Sequence, residues 1–125
     1  MKRSIVLPLV LVVGVALVAT TTAAVDPAGE TRLVSGEVVS LAAYLIRDLH
    51  GEDGRDAGVF QVEKLGLPLA IVEDDTGDVY VAVWKGPRSA QDRLLPLMGV
   101  KVNAQGPVYE RGGVRLIEIQ VVAEQ

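Results

Sequence analysis

Apolar and polar positions alternate most cleanly between Val79 and Lys85. Val79, Val81 and Val83 take one side; Tyr80, Ala82 and Trp84 take the other. A two-residue period is that of a strand with two distinct faces. The same rhythm runs further on, where Val100, Val102, Ala104 and Val108 alternate with Lys101, Asn103, Gln105 and Tyr109. Pro107 has no N–H for a ladder, so it predicts a bulge or a sheet edge. Gly112-Gly113 turns the chain into a last strand, Val114 to Val122. The alternation slips there at Leu116-Ile117, which predicts a bulge. Upstream, Leu67 to Glu73 is an apolar run, and Asp74 to Asp78 joins it to Val79 as a hairpin turn. Gly77 supplies the positive φ that such a turn needs.

Leu33 to Leu41 reads as the first strand, with a bulge where the alternation slips at Val38-Val39. From Val38 the spacing of Leu41, Ala42, Leu45 and Leu49 also fits a helix. A strand to about Leu41 followed by a helix over Ala42–Leu49 satisfies both. The glycine- and acid-rich stretch His50 to Gly58 predicts a loop. Val59 to Leu65 predicts at most a helical turn. Ser89 predicts the N-cap of a short helix, with Asp92 completing a capping box. Ala90, Leu94 and Leu97 form its apolar stripe, and Pro96 and Gly99 limit its length. Five strands with a helix between the third and fourth is the order of an OB-fold. The expectation is therefore a mainly β chain, a five-stranded OB-fold-like barrel with one or two short helices. An open sheet packed on one or two helices is the alternative.

The N-terminus changes the picture of where this domain works. Lys2 and Arg3 precede an apolar run from Ile5 to Val18, and small residues follow as far as Ala24. That is the layout of a Sec-type signal peptide. The apolar run is shorter than the roughly 20 residues that a spanning helix requires. An uncleaved anchor is the alternative. The expected organisation is a signal segment over 1–24, a flexible lead over 25–32 and one domain over 33–125. The mature protein would lie in the periplasm or outside the cell, with no stable membrane insertion. Of 12 Lys and Arg, two are lost with the signal, leaving ten against 16 Asp and Glu. This acidic balance repels phosphate backbones and disfavours nucleic-acid binding. Exported small domains often carry disulfides. With no Cys in the chain, this one has only packing to hold it.

Several segments resemble a family of small exported bacterial OB-fold proteins. Gly36-Glu37-Val38-Val39 followed by Leu41-Ala42-Ala43-Tyr44-Leu45 is similar to the family's opening. Gly66-Leu67-Pro68, an aliphatic strand and an acidic turn match its second and third strands. Gly99-Val100-Lys101-Val102 and then Tyr109-Glu110-Arg111-Gly112-Gly113-Val114 match its C-terminal half. The resemblance covers about Val34 to Val121 and implies the fold. Family members often carry a Cys where Ala43 stands and another within the stretch matching Ala57 to Gln61. Both are missing here, and only His50 matches the family's loop histidine. The resemblance therefore implies no thiolate site.

Candidate chemistry is sparse. Tyr80 and Trp84 share one strand face, expected to be the outer one, and Lys85 and Arg88 follow. OB-folds bind ligands on the face of strands two and three and the adjoining loops. Aromatic side chains there can stack a base or a sugar. Tyr44, in the segment after the first strand, joins Tyr80, Trp84, Lys85 and Arg88 as a candidate ligand contact. His50 with Glu52, Asp53 and Asp56 is a weak candidate for a divalent cation, because zinc sites want three or four protein ligands. Glu73, Asp74, Asp75 and Asp78 crowd a turn too short for a calcium loop. Lys101, Arg111 and Arg115 form at best a small basic patch. Ser35, Ser40 and Ser89 have no elbow motif and no second His, and phosphate-binding fingerprints are missing. No catalysis and no cofactor are expected. The reading is a non-catalytic binding or interaction module whose partner is a small ligand or an envelope protein. The alternatives are a metal- or haem-handling accessory protein that has lost its Cys ligands, and a weak binder of single-stranded nucleic acid. The sequence leaves the oligomeric state open.

Overall fold

The computed structural model describes residues 29–86 and 88–125. The expected signal segment and most of the expected lead lie outside them. The elements in chain order are β1 (Glu30–Ser40), α1 (Leu41–Arg47), α2 (Gly51–Leu65), β2 (Leu69–Glu73), β3 (Val79–Trp84), β4 (Arg88–Ser89), α3 (Gln91–Leu94) with a 3-10 turn over Leu95–Leu97, β5 (Lys101–Arg111), β6 (Val114–Ile119) and β7 (Val121–Glu124). β1, β2, β3, β6 and β5 pair in that order, and β5 pairs back onto β1. This ring is a closed five-stranded barrel of OB-fold-like topology. All its pairings are antiparallel except β3 with β6.

Two glycines make closure possible. Gly36 pairs with Glu73 of β2 on one side and with Val102 of β5 on the other. A Cβ there would stand 2.1 Å from the Val72 carbonyl oxygen. Gly106 of β5 is tighter still, with a Cβ position 1.9 Å from the carbonyl oxygen of Glu118. Beyond it, β5 changes partner. Its C-terminal half pairs with β6, and its residues Val102 to Gln105 pair with β7. Across Gln120 the register moves by one residue, so one extra residue is inserted there as a bulge. The bulge thus sits at Gln120. At Leu116-Ile117, where the sequence slip predicted it, the ladder is regular. Both residues keep their alternation because β6 is paired on both sides. Val38-Val39 is likewise free of a bulge. Both valines are buried there because the outer face of β1 is covered: Val39 and Tyr44 line the same cleft.

Two further elements differ from the sequence reading. β1 begins at Glu30, so Glu30 to Arg32 are strand rather than lead, paired with Val108, Pro107 and Gly106. The stretch expected as a loop, His50 to Gly58, is almost entirely α2. Its glycines are packing positions. Gly54, Gly58 and Val62 recur every four residues and are the buried face of the helix. A Cβ on Gly54 would meet the Leu49 backbone at 2.8 Å, and one on Gly58 would meet Met98 Sδ at 2.9 Å. Val62 and Met98 then join Val34, Val38, Ile71, Tyr80, Leu94, Val102, Ile117 and Ile119 in one core. Each such side chain contributes roughly 1.5–3 kcal/mol by leaving water. The short helix expected after Ser89 is α3. Its N-cap is Ala90, one residue later than expected, and the Ser89 hydroxyl accepts from the Gln91 N–H at 3.1 Å. Ala90 and Leu94 are buried as the stripe predicted.

The close approach at Gly106 yields a test. Gly106→Ala should lower the unfolding free energy by about 3 kcal/mol, because backbone must move to admit the methyl group. Gly112→Ala, at an open turn with a positive φ, should cost only about 1 kcal/mol. Urea unfolding of the two variants checks the contrast.

Candidate functional site

The residues singled out in the sequence separate into three places. The first is the core. Tyr80 is 1% exposed, so it lies on the inner face of β3 and not on a ligand-facing outer one. Both faces of this strand are apolar in sequence, and the alternation alone does not say which is inside. A tyrosine fits inside because its hydroxyl emerges at a polar rim. There it accepts from Arg32 Nη1 at 3.3 Å and donates to Glu73 Oε1 at 3.4 Å. Burial of the ring pushes its phenol above the ordinary value.

The second place is a cleft of about 230 Å³ beside the β2–β3 turn, where Tyr44 and His50 sit together. Their rings meet edge to face with centroids 6.4 Å apart. Glu37, Asp48, Glu73, Asp74 and Lys101 also line it. His50 Nδ1 is 3.7 Å from Glu37 Oε1, and the other oxygen of Glu37 accepts from the Gly51 N–H. His50 therefore faces Glu37 across the cleft, whereas Glu52, Asp53 and Asp56 belong to α2. Among the described residues no three His, Asp or Glu side chains converge in a metal-holding group. Lys101 Nζ bonds Asp74 Oδ1 at 2.9 Å, and Gln125 Nε2 donates to Asp74 Oδ2 at 3.1 Å. Asp74 thus clips the turn to β5 and to the C-terminus through Lys101 and Gln125.

The third place is the far end of β3. Trp84 lies directly opposite Arg88 of β4, so the two side chains leave the sheet on the same face. Trp84 is half-buried and packs against the core. The guanidinium of Arg93 stands 5.1 Å from the indole centroid, and Lys85 Nζ stands 5.5 Å from it. Each cation is attracted by the ring quadrupole, a contact of about 0.5–1 kcal/mol at an exposed site. Lys85 holds a φ of 40°, unusual for a side-chain-bearing residue, while its N–H bonds the Ile119 carbonyl at 3.0 Å. Among the described residues, none of Lys85, Arg88 and Arg93 forms an ion pair with a carboxylate. Glu118 pairs in register with Val83, on the opposite face of the ladder, and its Oε1 accepts from the Tyr109 hydroxyl. Arg88 also lines a groove of about 250 Å³ with Val62, Leu67, Val81, Val83 and Gln91.

The structure therefore keeps Trp84, Lys85 and Arg88 together, moves Tyr44 to the other cleft and removes Tyr80 to the interior. It adds Arg93, which sequence reading missed. Arg93 lies nine positions beyond Trp84 and across a turn, a short strand and a helix start, so no periodic signal links them. The basic patch considered around Lys101, Arg111 and Arg115 does not form as one. Lys101 is tied to Asp74, and Arg115 lies 3.8 Å from both Asp78 and Glu110.

Fold and site together define a small OB-fold-like barrel with a cation-flanked tryptophan at one end and an ion-paired cleft at the other. No family model, curated protein or solved structure matches this chain.

The Asp74–Lys101 clip carries a pH signature. The Lys101 ammonium, then the Gln125 amide, holds the Asp74 carboxyl below its ordinary value of 3.8. Asp74 in turn holds Lys101 above its ordinary 10.5. A depressed carboxylate stabilises the fold above its unfolded pKa and ceases to as pH falls through the folded one. A raised amine stabilises below its unfolded pKa and ceases to as pH rises through the folded one. The melting-temperature gap between the native protein and Lys101→Met should therefore be widest from about pH 5 to pH 9 and close on acidification below about pH 4. A gap that stays constant to pH 2.5 contradicts the clip.

Proposed function

We propose that this chain is an exported, non-catalytic binding module that engages its partner at the Trp84 end of the barrel. The single observation that carries the reading is the arrangement around Trp84. Two cations stand over one half-buried indole with a third directly across the ladder, and none of them is neutralised within the described residues. The cation–π contacts hold Lys85 and Arg93 at the indole, but the like charges repel one another. A partner of opposite charge relieves the repulsion. Export rests on the charged, apolar and small-residue pattern of residues 1–24. The resemblance of Val34 to Val121 to small exported OB-fold proteins supports export. Among the described residues no helix is long and apolar enough to cross a membrane.

Native mass spectrometry of protein isolated from its host's envelope tests this reading. The expected species begins near Val25 and carries a bound mass. That mass should be missing from an Arg93→Gln variant whose melting temperature is within a few degrees of the native one. A bound mass that persists in Arg93→Gln and in Lys85→Gln contradicts the assignment of the site. A chain that retains Lys2 and Arg3 and fractionates with the cytoplasm contradicts export.

A further inference from the structure

We infer that the Trp84 end takes an amphiphilic anion: a phosphate or carboxylate group on a short apolar chain. This rests on the binding reading above and names the chemistry of its ligand. The head group is specified by the cations. A cation–π contact engages the charge of Arg93 and Lys85 but leaves their N–H donors free. Guanidinium groups present those donors in a planar fork that matches an oxyanion, and Arg88 and Arg93 supply two such forks beside one ammonium. The chain is specified by the groove beside them. Arg88 stands across the ladder from Trp84 and also lines the groove, whose apolar wall is Val62, Leu67, Val81 and Val83 and whose polar wall holds Ser89 and Gln91. It stands where a charged head would meet an apolar tail.

The groove exists for a topological reason. β2 pairs with β3 only over Ala70–Val72, and Val83 turns instead to Ser89 of β4. Leu67, Pro68 and Leu69 are left on one side of the gap and Val81 and Val83 on the other. Ion-paired carboxylates crowd the other cleft, at the opposite end of β3, and they would repel the same head group. The chemistry is shared by a free amphiphile and by an anionic lipid in a bilayer, and the two sources are separable by experiment.

Trp84 is the only tryptophan, so its emission reads this site alone. The full mature protein is titrated with hexyl phosphate, with inorganic phosphate and with hexanol at constant ionic strength. Hexyl phosphate should shift the emission saturably, with a dissociation constant at least about tenfold below that of either half-molecule. Arg88→Gln and Arg93→Gln should each weaken it about tenfold or more with the melting temperature unchanged within a few degrees. Flotation with phosphatidylglycerol vesicles against phosphatidylcholine vesicles separates the sources. Binding to the former with hexyl phosphate as competitor indicates a lipid head group, and hexyl phosphate binding without flotation indicates a free amphiphile. Hexanol binding as tightly as hexyl phosphate, inorganic phosphate doing so, or insensitivity to both arginine substitutions would overturn the inference. Failure of every probe overturns it too. If the envelope-isolated protein then still carries an Arg93-dependent mass, only the ligand class is wrong and the site stands.

Discussion

The closed ring depends on one close approach, where Gly106 of β5 lies against the Glu118 carbonyl. β5 is an eleven-residue strand that must serve β1 along most of its length, β6 at one end and β7 at the other. A side chain there would push β6 and the Gln120 bulge away from β5. Glycine lets the two backbones touch, and Pro107 beside it needs no partner for a missing N–H. The extra residue at Gln120 lets the final segment leave β6 and continue along β5 as β7. With the ring closed, the inner side chains form one core without any disulfide.

Closure also decides what the ends of the barrel present. β3 runs from one end to the other, with Val79 beside the acidic turn and Trp84 at the far rim. One end carries the cleft where Glu37 meets His50 and where Lys101 pairs with Asp74. At the other, Trp84 packs inward while its ring face gathers cations. Cations are thus paired with carboxylates at the turn end of β3 and gathered on an indole at the other. A barrel this small has no deep interior cleft, so its chemistry is that of rims and grooves.

The strands were legible in the sequence because their pattern has period two and their turns use residues with special backbone freedom, such as Gly77 and Gly112-Gly113. The barrel's order of elements followed from that. What sequence could not supply was the meaning of residues with two uses. Gly54 and Gly58 read as loop punctuation, and they are the contact face of α2, because a helix that must lie against Leu49 and Met98 has no room for a Cβ. Tyr80 and Trp84 read as an outward aromatic pair. The tertiary structure chose the face whose tyrosine could place its hydroxyl between Arg32 and Glu73. The site was half legible. Trp84, Lys85 and Arg88 lie within five positions of one another and stay together. Arg93 joins them only through the path of β4 and α3.

The central claim is that the functional surface is the cation-flanked rim around Trp84 and not the cleft around Tyr44 and His50. The measurement that tests it most directly is a map of backbone and indole N–H chemical shifts in the isotope-labelled protein as hexyl phosphate is added. The account predicts changes centred on the Trp84 indole, Lys85, Arg88 and Gln91 to Arg93, with Tyr44, His50 and Asp74 unmoved. Changes centred on Tyr44, His50 and Asp74, with the Trp84 indole unmoved, would contradict it.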